Sequence, residues 1–174
     1  MHNSATTTHK SITFPVARRR VGGDRYRDQV MSLVAKRGFA VSDTTHEQDM
    51  KEASDLLLDG QGCALRIRTE KALLRWPDEF TIRAWRPCCG SDTELQKILS
   101  GHARYALYGF TDRSDKIVLL RLLDMDVFRQ CLTGRSAGKY DRDMQIGTDG
   151  VGYFVFNLHE FPATFVKQVW DYRH

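Results

Sequence analysis

No stretch of this chain is long and apolar enough to suggest a membrane span. Its 174 residues hold no run near the ~20 apolar positions a bilayer requires, so a membrane protein is not expected. The opening residues, MHNSATTTHKSITF, lack the apolar centre of a signal peptide. The setting expected is therefore cytoplasmic. Cysteine is scarce, with four residues at 63, 88, 89 and 131. Cys88 and Cys89 are adjacent, which does not suit zinc, and no second CxxC occurs. Free thiols in a reducing compartment are the expectation. His46 and His102 have no partners at ligand spacing, so no zinc is expected, and no internal repeat is visible.

What is present is enough for one core. The hydrophobic fraction is 41%, including nine Phe, six Tyr and three Trp, which argues against disorder over most of the chain. The length suits a single domain. The net charge of +4 gives a mild bias toward polyanions. Its distribution is more informative. Arg18, Arg19 and Arg20 fall in a Thr-, Ser- and His-rich segment closed by Gly22 and Gly23. Residues 1–23 are thus read as a flexible basic arm with a short extended piece at 12–16, and residues 24–174 as the domain. Arg66, Arg68, Arg75, Arg83 and Arg86 fall in or beside expected strands, where a solvated sheet face is the alternative to a binding surface.

Helical spacing of Tyr26, Val30, Leu33 and Val34 predicts a first helix opened by Asp24 and closed by Gly38. Strands are expected at 39–42, at Leu56-Leu57-Leu58 and, after the Asp59-Gly60 turn, from Cys63 to Thr69. In that last strand Cys63, Leu65 and Ile67 face one way, and Ala64, Arg66 and Arg68 the other. Phe80 to Trp85 alternates too. SDTELQKILSG predicts a helix with Ser91 and Glu94 as its capping box and Gly101 as its stop. Two strands follow at 103–110 and 117–123, then a helix capped by Asp124. Residues 134–150 read as a mobile polar loop and 151–156 as a last strand. Pro162 then opens a terminal helix ending near Trp170. This order predicts an α/β (α+β) fold with a mixed central sheet flanked by helices.

The order of elements, with Asp55 on one strand and Arg66 and Arg68 on the next, resembles the PD-(D/E)XK nuclease-like superfamily over residues 24–123. The chain also resembles a group of bacteriophage proteins. Their motifs are matched here by Asp49-Met50 with Asp55-Leu56, by Ala64 to Arg68, by Phe80 to Arg83 and by Thr93 to Gly101. The resemblance implies a core of a helix, a three-strand meander, a crossover helix and a further strand. It also implies a phage-type protein acting on nucleic acid, with DNA the first expectation and the host cytoplasm its setting. A pair of carboxylates would hold Mg²⁺ or Mn²⁺, which polarises the scissile phosphate, and a lysine would stabilise developing charge.

Placed on this chain, the resemblance makes Asp55 a metal ligand. Arg68 stands where the lysine belongs, and Arg66 where the second carboxylate belongs. Arginine offers a metal no lone pair. The missing carboxylate is then Glu70, which shares Arg66's strand parity, or Glu94 on the crossover helix with Lys97 beside it. Otherwise the site is dead. Arg66, Arg83 and Arg86 would grip backbone phosphates. Each residue also has a plainer reading. Asp55 caps a strand end or pairs with an arginine, Glu94 closes the capping box, and Lys97 pairs with Glu94 at the surface. Asp49 and Glu52 are loop surface, and Tyr105 and Tyr108 pack. Two functional readings follow: a metal-dependent endonuclease with an atypical site, or an inactive nuclease-like module that binds DNA or a host protein. A homodimer through the edge strand 151–156 is a third.

Overall fold

The computed structural model describes residues 17–44, 54–87, 92–134, 137–140 and 142–173, with side chains of the first helix from Tyr26 onward. His46, Asp49, Met50, Glu52, Cys88, Cys89 and Ser91 lie outside the described residues, as do residues 12–16.

The first helix, α1, runs Ala17–Ala35 and so starts seven residues before Asp24, carrying Gly22 and Gly23 within it. Its apolar stripe behaves as the spacing predicts, with Val30 and Val34 fully buried. Three antiparallel strands follow: β1 (Val41–Asp43), β2 (Leu56–Leu58) and β3 (Gln61–Arg68). Asp59 (φ 49) and Gly60 (φ 75) take the left-handed conformations that let β2 turn directly into β3.

The chain then leaves this sheet. A short helix α2 (Glu70–Arg75), a strand β4 (Glu79–Trp85) and a helix α3 (Glu94–Leu99) lead to β5 (Tyr105–Thr111), which pairs with β3 in parallel. Antiparallel β6 (Ile117–Asp124) comes next, then α4 (Met125–Thr133), whose first amides at Asp126 and Val127 are capped by Asp124 as expected. After β7 (Gln145–Ile146) and β8 (Gly152–Asn157), the chain closes with β9 (Val166–Asp171) along β6. The protein is thus α+β, with a mixed six-stranded sheet in the order β1-β2-β3-β5-β6-β9.

Three expectations on the fold are corrected. Phe80 to Trp85 does not join the central sheet. As β4 it forms a second, three-stranded sheet in the order β4-β8-β7. The segment after Pro162 is a 3₁₀ turn (Ala163–Phe165) leading into strand β9 rather than a helix, because β6 offers an unpaired outer edge and Trp170 packs edge-on against Phe39 at 5.9 Å. The polar excursion after residue 134 is anchored: Lys139 Nζ donates to the Glu160 carbonyl, Tyr140 is buried, and Arg142 pairs with the Glu160 carboxylate.

Each face of the large sheet has its own core. One is built from α1 with Leu56, Leu58, Cys63, Leu107, Leu120 and Trp170. The other is aromatic. Phe80 from β4 lies within 5.3–5.7 Å, ring to ring, of Phe128, Phe156, Phe161 and Phe165, and these rings weld the small sheet to the large one. Arg121 of β6, itself buried, donates to the Pro77 carbonyl and to Asp78 Oδ1 (3.1 Å). That tie fixes the turn feeding β4 and so sets the small sheet's position against β3. Among the described residues, no helix is long and apolar enough to cross a membrane.

Candidate nucleic-acid interface

The two sheets leave a cleft of about 400 Å³ between them. Strand alternation explains its walls. Phe80 and Ile82 of β4 are buried in the core, so Glu79, Thr81 and Arg83 must face the other way. Their cross-strand partners include Val155 opposite Thr81 and Tyr153 opposite Arg83, and both face the cleft as well. The large sheet contributes Arg66 and Arg68 from the face of β3 that also carries Ala64. Trp76, just past α2 and 44% exposed, and Asp149, from the β7–β8 turn, complete the rim.

The arginines are held differently. Arg66 Nη1 donates to Glu94 Oε2 at 2.7 Å, with both side chains largely shielded (25% and 19% exposed). The same Glu94 oxygen accepts from the backbone N–H of Arg83 at 3.0 Å. Arg68 Nη1 donates to Thr81 Oγ1 and to the buried Tyr108 hydroxyl, each at 3.1 Å. Both partners of Arg68 are neutral, and among the described residues no carboxylate pairs with it. Its guanidinium is therefore fixed in place with its charge uncompensated, which suits an anion-binding group.

Glu94 is free for this role because it does not cap its own helix. The capping box of α3 is formed by Thr93 and Gln96: Gln96 N donates to Thr93 Oγ1, and Thr93 N donates to the Gln96 side chain. Lys97 lies on the same helix, half-buried, and does not line the cleft. Glu70 sits in the first turn of α2 and takes Arg113 Nε at 2.9 Å. The strand ends at Arg68, so the parity that would have placed Glu70 beside Arg66 does not apply. Arg86 follows β4, half-buried and away from the cleft lining.

Asp55 precedes β2, and the register carries it opposite Ala64, on the face of Arg66 and Arg68. Its Oδ2 accepts from Leu65 N at 2.6 Å, extending the β2–β3 ladder through a side chain, and its carbonyl accepts from Arg27 and from Thr44. Burial, reinforced by the Asp55 charge, pushes the neighbouring Cys63 thiol well above its ordinary range. Asp55 does not line the cleft.

This donor set fits a hard divalent cation poorly. Glu94 is engaged by a guanidinium and an amide, Asp55 by a strand amide, and Arg66 adds positive charge without a lone pair. Among the described residues, no group of three or more His, Cys, Asp or Glu is placed to hold a metal.

Sequence reading singled out Arg66, Arg68 and Arg83, and these do converge, although from two sheets rather than one. It missed Trp76, Glu79, Asp149 and Tyr153. The outward half of the 79–85 alternation was the available signal for Glu79; nothing local pointed to Asp149. No protein-family model matches this chain, and no curated protein matches it at a significant level.

Proposed function

We propose that this protein is a nucleic-acid-binding module on a nuclease-like scaffold, of the kind found in the phage-type proteins it resembles, and that the arginine cleft grips backbone phosphates. One observation carries the reading: Arg66, Arg68 and Arg83 meet in a single cleft, and Arg68 is pinned there by neutral partners. Arginine presents a planar fork that matches phosphate oxygens, and a pinned fork loses little entropy on binding.

Mg²⁺- or Mn²⁺-dependent cleavage is the second reading. The order of elements favours it, since α1 and the β1–β3 meander are followed by a helical crossover to β5, parallel to β3. Asp55 and Glu94 would be the carboxylates, and Lys97 or Arg68 the cationic group. It requires Arg66 to release Glu94.

Fluorescence anisotropy with labelled DNA and RNA over a salt series tests the first reading. Three phosphate contacts give a slope of log K against log salt of about −2 to −3, and Arg68→Ala reduces it by about one. Absence of binding at low salt refutes it and leaves a protein partner as the module's target. Plasmid incubated with Mn²⁺ beside Asp55→Ala decides the second reading: cutting that the substitution abolishes establishes catalysis.

A further inference from the structure

Building on that binding reading, we infer that the cleft receives one unpaired nucleotide and selects guanine through Glu79. The first argument is size. About 400 Å³ falls in the range of small-ligand sites and suits a single nucleotide; a paired base, stacked within a duplex, does not reach into it.

The second argument is polarity along the small sheet. Arg83 sits at one end of the β4 lining, beside Tyr153 and near the Arg66–Glu94 pair. Glu79 is four residues back on the same face, about 13 Å away at the usual strand rise. Arg68 lies between them, on Thr81. Toward Arg83 the charges of Arg66 and Arg83 stand beside the carboxylates of Glu94 and Asp149, so the uncompensated cation of the cleft is Arg68, two residues along the β4 lining from Glu79. Among the described residues Glu79 has no ion-pair partner, even though three arginines line the same cleft. A ligand that fills the cleft carries an anion for Arg68 and hydrogen-bond donors for Glu79.

A guanine nucleotide has that layout. Its phosphate answers the arginines. The adjacent N1–H and N2–H of the base answer a carboxylate with two parallel hydrogen bonds, the same fork logic by which arginine reads a carboxylate. Adenine shows no such donor pair and would leave Glu79 desolvated and unpaired, which is the costly arrangement. Trp76, exposed at the Glu79 end of the cleft, supplies an aromatic face for the base. Asp149 stands at the opposite end, where its Oδ1 already accepts from Val151 N.

The test uses the full chain and three labelled DNA probes: a short oligo-dT with one central dG, the same strand with dA instead, and a blunt duplex of equal charge. The dG strand is expected to bind roughly tenfold or more tighter than the dA strand, the discrimination of one good bidentate pair. Glu79→Gln should erase that preference while keeping salt-dependent binding. Trp76→Leu should weaken both single strands relative to the duplex. Arg68→Ala should weaken all three probes alike. Equal binding of dG and dA, duplex binding as tight as the dG strand, or a preference that survives Glu79→Gln overturns the inference and leaves phosphate binding standing. Failure of every probe to bind at low salt refutes the binding reading itself.

Discussion

Replacing Glu94 by alanine distinguishes an ion-pair residue from a metal ligand by the sign of its effect on stability. In the structure Glu94 Oε2 accepts from Arg66 Nη1 at 2.7 Å and from Arg83 N at 3.0 Å. Removing the carboxylate leaves a guanidinium and an amide without their acceptor. Breaking a fully buried pair costs about 3–5 kcal/mol, and an exposed pair about 0–1 kcal/mol. At 25% and 19% exposure this pair lies between those limits, so a loss of about 2 kcal/mol is expected. In a chain of this size that lowers Tm by roughly 4–8 °C. The assay is urea and thermal unfolding of Glu94→Ala, Arg66→Met and the double variant. The double variant should be less destabilised than the sum of the single ones, because removing both partners leaves no orphaned charge. Glu94→Gln should also tighten phosphate binding, since it releases Arg66 toward the cleft. If Glu94 were instead a vacant ligand among like charges, its loss would raise stability in metal-free buffer. A Tm that stays level or rises, with the two single effects strictly additive, refutes the ion-pair reasoning.

Three further outcomes follow from the packing and the turns. Phe80→Ala removes the ring at the centre of the aromatic cluster and should cost about 3–5 kcal/mol by denaturant unfolding; a loss under about 1 kcal/mol would mean the small sheet is not welded to the large one there. Gly62→Ala brings a Cβ to 2.6 Å from the His102 carbonyl oxygen, a backbone atom that cannot step aside, and should cost about 1–3 kcal/mol; an unchanged urea midpoint would show that β3 and the α3–β5 connection are not in close contact. Asp112 is held below the usual carboxylate range first by the Lys116 amide and then by the Ser114 hydroxyl, so its folded pKa lies below the unfolded one. It therefore stabilises the β5–β6 turn above the ordinary carboxylate range and loses that contribution as pH falls through the folded pKa. The Tm gap between wild type and Asp112→Asn should be widest near neutrality and close on acidification; a gap that does not change with pH contradicts this.

Local signals in the sequence located the strands and helices well where the pattern and the final burial agree. The Cys63 to Arg68 alternation gave β3 its two faces, and Asp124 caps α4 as its position before an apolar run implies. The failures share one cause, which is dependence on distant partners. FVKQVW has both an i, i+4 apolar spacing and strand-forming residues, and only the free edge of β6 decides for a strand. The FTIRAW alternation identifies a strand but not which sheet takes it. Phe80 joins the aromatic cluster with residues about 50 to 85 positions later, and that choice is invisible locally. Ser91 and Glu94 fit a capping box as well as Thr93 and Gln96 do; the second pair forms it, and this frees Glu94 to reach β3 and β4.

That last displacement bears directly on what Arg66 and Arg68 do. Both lie on one face of β3, two residues apart, and nothing in the sequence says which of them is held in an ion pair. The structure makes them unequal. Arg66 is occupied by Glu94, joining β3 to the start of α3, which is the tie a bound cation would make between two carboxylates at those positions. A group that ties two elements together costs stability when it turns to a ligand. Arg68 also links β3 to β4 and β5, but its partners Thr81 and Tyr108 are neutral and orient it without cancelling its charge. Ligand binding can therefore use the full charge of Arg68, with its rotamer already set, and only part of that of Arg66. If the cleft binds phosphate as proposed, the larger share of that affinity should thus rest on Arg68. Arg66, through Glu94, holds β3 to the start of α3.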